Sequence, residues 1–217
     1  MAFYNELVAA TEVERNDFLS IPALQQGATG TISRQTYIAF LTEAYHHVKH
    51  TVPLLMACGS RLPAKMEWLR EAMGEYIEEE MGHQEWILND IAACGADAEA
   101  VRNDMPLPAT ELMIAYAYDT IHRNNPAGFL GMVLVLEGTS VHMAIDAANA
   151  IQSTLKLPDT AFSYLKSHGS LDVSHMEFYE SLVNKLDSEE DQKAVIHCAR
   201  IFYKLYGDIF RSLPLNQ

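Results

Sequence analysis

Thiols are scarce in this sequence. Its 217 residues include three cysteines, Cys58, Cys94 and Cys198, widely spaced and without a CxxC pair. That argues against a disulfide framework and fits buried thiols in a reducing compartment. Basic side chains are also few, 15 Lys and Arg against 29 Asp and Glu, which leaves a net charge of -14. Such a field repels phosphate backbones, and no Lys/Arg cluster offers a local exception, so nucleic acid is excluded as a partner. Long apolar runs are missing. The longest, Ala127 to Leu136, is about half of what a bilayer span needs, so no membrane is expected. The first residues carry acids and no basic start, unlike a signal peptide. Together these features read as cytoplasmic. Strand signals are absent as well: there is no sustained alternation and no Asn-Gly or Asp-Gly hairpin between apolar runs.

What is present is helical. Hydrophobic residues make up 49% and charged residues 20%, ordinary for a globular chain, and the length suits one domain over residues 1–217. Seven helices are expected, at roughly 2–19, 33–58, 63–94, 109–123, 126–155, 159–186 and 189–212. Asn125-Pro126 is an N-cap followed by proline at the first helical position. Ser188 before Glu189, Glu190 and Asp191 sets a cap and acids at the positive end of a helix dipole. Gly95 suits the position just past a helix end. Residues 20–32 read as the only long loop, and Pro53 as a kink in the second helix. The fold class is all-α, a helical bundle.

Four segments carry chemistry. In His168-Gly-Ser-Leu-Asp172-Val-Ser-His175, steps of four and seven residues return to about the same helix face. Two imidazoles and a carboxylate would then project together. In the run Glu78-Glu79-Glu80-Met-Gly-His83, Glu80 and His83 have the i, i+3 spacing of carboxylate-bridged metal sites in bundles. Glu80 is the inward choice and Glu79 the reserve. Glu85 and Asp90 read first as surface charges and second as acceptors for a ligand imidazole. Glu137 sits in a helix apolar on all sides, where an ionised carboxylate needs a cation, a proton or an outward turn. Glu43-Ala-Tyr-His46-His47-Val-Lys-His50 repeats the Glu-x-x-His spacing; Glu43 could complete a shell, with the histidines orienting it or lining a pocket.

Taken together, Glu43, Glu80, Glu137 and Asp172 with His83, His168 and His175 lie on four expected helices. Oxygen and imidazole donors without thiolate favour iron or manganese over structural zinc. Seven ligands are too many for one ion and suit two.

These motifs resemble the haem-oxygenase-like di-iron oxidases and oxygenases, a branch of the TenA-like and PqqC-like superfamily. The branch carries a Glu and a His on one core helix, a Glu on the next, and His-x3-Asp-x2-His on a third. Here these match Glu80 and His83, then Glu137, then His168, Asp172 and His175, with Glu43 placed for the further Glu of some members. The likeness covers roughly residues 30–210. It implies a haem-oxygenase-like bundle of about seven helices, two Fe(II) ions per chain with manganese as a substitute, and reaction with oxygen. It further implies oxidation of a small organic substrate, an electron donor for some reactions, and a homodimer. Tyr76, Tyr164, Tyr179 and Tyr203 would line the pocket or stand in the core.

Three other readings stay open. A ferritin-like carboxylate bundle would use Glu43/His46 and Glu80/His83 and leave His168 and His175 idle. A TenA-like enzyme would work without metal, but no cysteine falls beside Glu137. A metal-free binding or regulatory bundle would have little reason to bury Glu137. A haem enzyme is disfavoured because no histidine precedes Glu43. The substrate itself is not written in these motifs.

Overall fold

A computed structural model describes residues 2–215, the side chains of His142 and residues 170–174 excepted. The described residues form twelve α-helices and no strand, where about seven helices were expected. They are α1 (Phe3–Ala10), α2 (Glu12–Leu19), α3 (Pro22–Thr29), α4 (Arg34–Val48), α5 (Thr51–Arg61) and α6 (Glu67–Glu80). Then follow α7 (His83–Ala93), α8 (Ala98–Asn103), α9 (Pro108–Arg123), α10 (Leu130–Leu155), α11 (Ser163–Val183) and α12 (Glu189–Ser212).

The extra helices arise from breaks with local causes. The expected helix 33–58 divides at Lys49 and His50. Pro53 has no N–H, and its ring crowds the carbonyl four residues back, so it is accommodated only in the first turn of α5. The expected helix 63–94 divides at Met81 and Gly82. Met81 is extended and Gly82 takes φ +96°, a left-handed conformation that glycine adopts at little cost. The supposed loop 20–32 contains α3, which opens on Pro22 at its first turn and closes on Gly30 with φ +68°. Its apolar positions are too few to show a period. Several ends formed as expected: Asn125 Oδ1 accepts from Ala127 N, Ser188 Oγ accepts from Asp191 N, and Gly95 follows α7 with φ +81°.

Two apolar cores flank the middle of α10. One gathers Leu54, Leu69, Met73, Leu130, Val135, Tyr179 and Phe202. The other gathers Tyr37, Leu41, Ile87, Ile91, Ala148 and Phe162. Helix α10 therefore passes through both, packing against α11 and α12. At Gly131 the α12 backbone approaches so closely that a Cβ would lie 2.5 Å from Ala199 N. Between the two cores, residues 136–141 and Met143 are only half-buried. That stretch carries Glu137. No single helix among the described residues is long and apolar enough to cross a membrane.

Candidate metal centre

Glu80 is the last residue of α6 and His83 the first of α7, so the break at Gly82 lies between them. The Glu-x-x-His pair is consequently not one face of a continuous helix. The chain turns, and both side chains end up buried, with His83 Nδ1 2.9 Å from Glu80 Oε2. Trp86 stacks on the His83 ring at 4.0 Å between centroids and fixes its plane.

Helix α11 brings two more imidazoles. His168 meets His83 edge to face at 4.9 Å and also packs against Tyr164. His175, two turns on, is buried beside Tyr76. Its Nε2 lies 2.9 Å from Oε2 of Glu79, the neighbour of Glu80. The reserve carboxylate thus holds an imidazole, while Glu80 takes the inward place.

Two donor triads result. Glu80, His83 and His168 have donor atoms within 4.8 Å of one another, and so do Glu80, Glu137 and His175. Glu80 belongs to both. Five of the seven residues singled out from the sequence therefore converge. Oxygen and imidazole donors with no thiolate fit iron or manganese. The side chain of Asp172 lies outside the described residues.

Glu43, expected as a further ligand, joins neither triad. It is buried on α4, and its carboxylate accepts from Leu107 N, 3.1 Å from Oε2, and from the Thr110 hydroxyl. It thereby satisfies the N-terminus of α9, where a negative charge is favoured. Asp90 corrects the surface-charge reading in the same manner. It is fully buried on α7 and accepts from Ser163 N at 3.0 Å and Tyr164 N at 2.9 Å. This clamps the start of α11 to the helix that carries His83. Burial pushes the Asp90 carboxyl above its ordinary range, against the lowering pull of the Ser163 hydroxyl and the two N–H groups. Glu85 remains at the surface, paired with Arg102.

A cavity of about 170 Å³ adjoins the triads and is lined by Glu80, Glu137 and His168 at that end. Leu24, Phe40, Leu55, Met132 and Leu136 contribute to its apolar wall, and Ala28 on α3 is its solvent-exposed member. None of the three cysteines is among the lining residues. Of the four tyrosines noted in the sequence, Tyr76 and Tyr164 line the cavity. Tyr179 instead donates to Leu130 O at 2.9 Å in the core. Tyr37, Tyr206 and His47 also line it. Only His47 carried a prior signal, as one of three histidines in five residues.

A family model described as iron-containing redox enzyme matches residues 38–207. Among solved structures, a domain of unknown function with a haem oxygenase-like fold from Shewanella denitrificans is 27% identical. The match covers 96% of this chain and 90% of that one, with a TM-score of 0.85. A TenA homologue from Pseudomonas syringae is 14% identical, with 97% and 91% covered and a TM-score of 0.81. Haem oxygenase from Leptospira interrogans is 14% identical, with 98% and 100% covered and a TM-score of 0.76. The last two likenesses concern fold alone, and that fold is the haem-oxygenase-like one. No curated protein matches the sequence.

Proposed function

We propose, on the premise that the chain belongs to the family of iron-containing redox enzymes, that its centre takes two iron ions. There it activates oxygen to oxidise a small organic substrate held in the adjoining cavity. One observation carries the reading: Glu80 is common to two donor triads. A carboxylate has two oxygens and can serve two ions, whereas a single ion would leave either His83 and His168 or Glu137 and His175 unused. Manganese suits the same donors.

Ferrous iron, when bound, supplies the electrons that the first reduction of oxygen requires. The chain's part is geometric and electrostatic. Glu80, with His83 and His168, would hold one ion, and Glu80, with Glu137 and His175, the other. Glu79, whose Oε2 lies 2.9 Å from His175 Nε2, would favour the proton on that nitrogen and leave the lone pair on Nδ1. Trp86 and Tyr164 hold the His83 and His168 rings. The apolar wall would limit water at the reacting end once a substrate fills the cavity, which strengthens charge interactions there. Tyr76, whose hydroxyl is pushed well above its ordinary pKa by burial and then by Glu137, stays protonated and can donate a hydrogen bond.

The test is anaerobic Fe(II) titration of the metal-free chain, followed by mixing with oxygen and recording of visible absorbance. Uptake of two irons with a transient band is the expected result, and paired replacement of His168 and His175 should abolish it. Unchanged iron content in that double variant would sink the assignment and return weight to the ferritin-like ligand set.

A further inference from the structure

The cavity wall is apolar over most of its area, so its polar atoms are informative. Several are already committed. Tyr37 Oη donates to Ala161 O at 2.8 Å, Thr36 Oγ1 to Pro214 O at 2.6 Å and Thr139 Oγ1 to Val135 O at 2.5 Å. Glu80, Glu137 and His168 belong to the triads. Three other polar atoms are shut off from solvent without a hydrogen-bond partner in the protein: Nδ1 of His47, Oη of Tyr76 and Oγ of Ser140. Their side chains line the cavity from α4, α6 and α10. Buried polar atoms are almost always paired, so three unpaired ones on side chains around one space point to an occupant that pairs them.

His47 is the most telling. It is 97% buried, being 3% exposed, and its ring is held perpendicular to Tyr206 at 5.8 Å. Burial, and then the neighbouring His168, His50 and His46, push its pKa down to about 3. It is therefore a neutral imidazole, one nitrogen donating and the other accepting. No lysine or arginine lines the cavity, and its carboxylates both lie in the triads. A charged group placed away from the triads would be stripped of water with no counter-ion.

We propose that His47 determines what this cavity accepts, selecting aliphatic molecules that bear an uncharged hydrogen-bonding group, a hydroxyl or carbonyl, along an otherwise apolar chain. This rests on the reading that the cavity receives the substrate, but it does not depend on iron being bound. Hydroxyls satisfy either tautomer of the imidazole, and the hydrocarbon meets the Leu, Phe and Met side chains of the wall.

The test uses the full chain and three probes, 1-octanol, 1-chlorooctane and octylammonium, titrated calorimetrically with and without anaerobic Fe(II). The native protein should bind 1-octanol about tenfold tighter than 1-chlorooctane, the size of one net hydrogen bond, and, with Fe(II) present, octylammonium more weakly still. In His47→Leu the alcohol and the chloride should bind within about twofold of each other. In His47→Gln, which keeps a donor and an acceptor, much of the preference should return, and circular dichroism checks that both variants fold. An unchanged octanol preference in His47→Leu overturns the proposal. So does equal binding of octanol and chloride by the native chain, the outcome expected if a resident water already satisfies His47. Equal or tighter binding of octylammonium with Fe(II) present, where the triad carboxylates are engaged, removes the uncharged class. If these preferences hold while the iron titration fails, the di-iron reading falls and the cavity assignment stands.

Discussion

His83 Nδ1 lies 2.9 Å from Glu80 Oε2 although a helix ends at one residue and another begins at the other. Between them Gly82 holds φ +96° with nothing within 4 Å of where a Cβ would sit. Space does not demand glycine there; backbone conformation does. Gly82→Ala should therefore cost about 1–2 kcal/mol, the left-handed penalty of an L-residue. It should also lower iron uptake by pulling the pair toward a continuous helix. Chemical denaturation and iron content measured on one preparation check both. Normal stability with normal iron would show that the break does not organise the site.

Glu79 lies beside the donor triads and joins neither. Its Oε2 lies 2.9 Å from His175 Nε2, and a carboxylate so placed can tune the basicity and orientation of a ligand imidazole. Glu79→Gln should weaken iron binding roughly 10- to 100-fold while leaving the stoichiometry of two at saturation. Chelator competition reads the affinity, and Glu79→Asp should recover part of it. A stoichiometry that falls to one would instead make Glu79 a ligand.

The legible parts of this molecule are those fixed within a few residues. Asn125-Pro126, Ser188 and Gly95 mark helix ends because each satisfies backbone groups of its own turn. Glu80, His83, His168 and His175 were singled out by their spacing and Glu137 by its apolar setting, and the fold brings their donor atoms together. What misled was continuity. A glycine inside a periodic run resembles a tolerated defect, and only the backbone dihedral of Gly82 shows a turn. Glu43 and Asp90 pose a different difficulty. Their partners, the N-termini of α9 and α11, lie 64 and 73 positions along the chain. Nothing local distinguishes a carboxylate that binds a distant helix end from one that binds a metal. The three cysteines, read as buried thiols, are all buried.

That distinction can be tested at Glu43 itself. Removing a buried acceptor leaves Leu107 N–H and the Thr110 hydroxyl unsatisfied and takes a charge from the start of α9. Glu43→Ala should thus cost about 1–3 kcal/mol in stability. Iron stoichiometry should stay at that of the native chain, whereas a ligand role predicts a lost ion. Stability and metal content respond in opposite patterns under the two roles, so one variant decides between them.

Acid should expose the cost of keeping His47 neutral. Its pKa falls from 6.5 in the unfolded chain to about 3 in the fold, chiefly through burial. Between those values the unfolded state binds the extra proton. Stability should therefore rise with pH across this window and be lost as pH falls below about 6.5. The slope for one group is about 1.4 kcal/mol per pH unit, so lowering the pH from 7.5 to 5 should remove about 2 kcal/mol. His46 and His50 are shifted in the same direction by burial and by Lys49, and should steepen the fall. Urea unfolding of the metal-free protein at several pH values measures the slope. In His47→Gln the slope should lose about one proton's share, because the amide does not titrate. A variant with the native slope would mean that His47 takes up its proton within the fold. The cavity would then hold a cation, and the uncharged ligand class argued for it would lose its electrostatic basis.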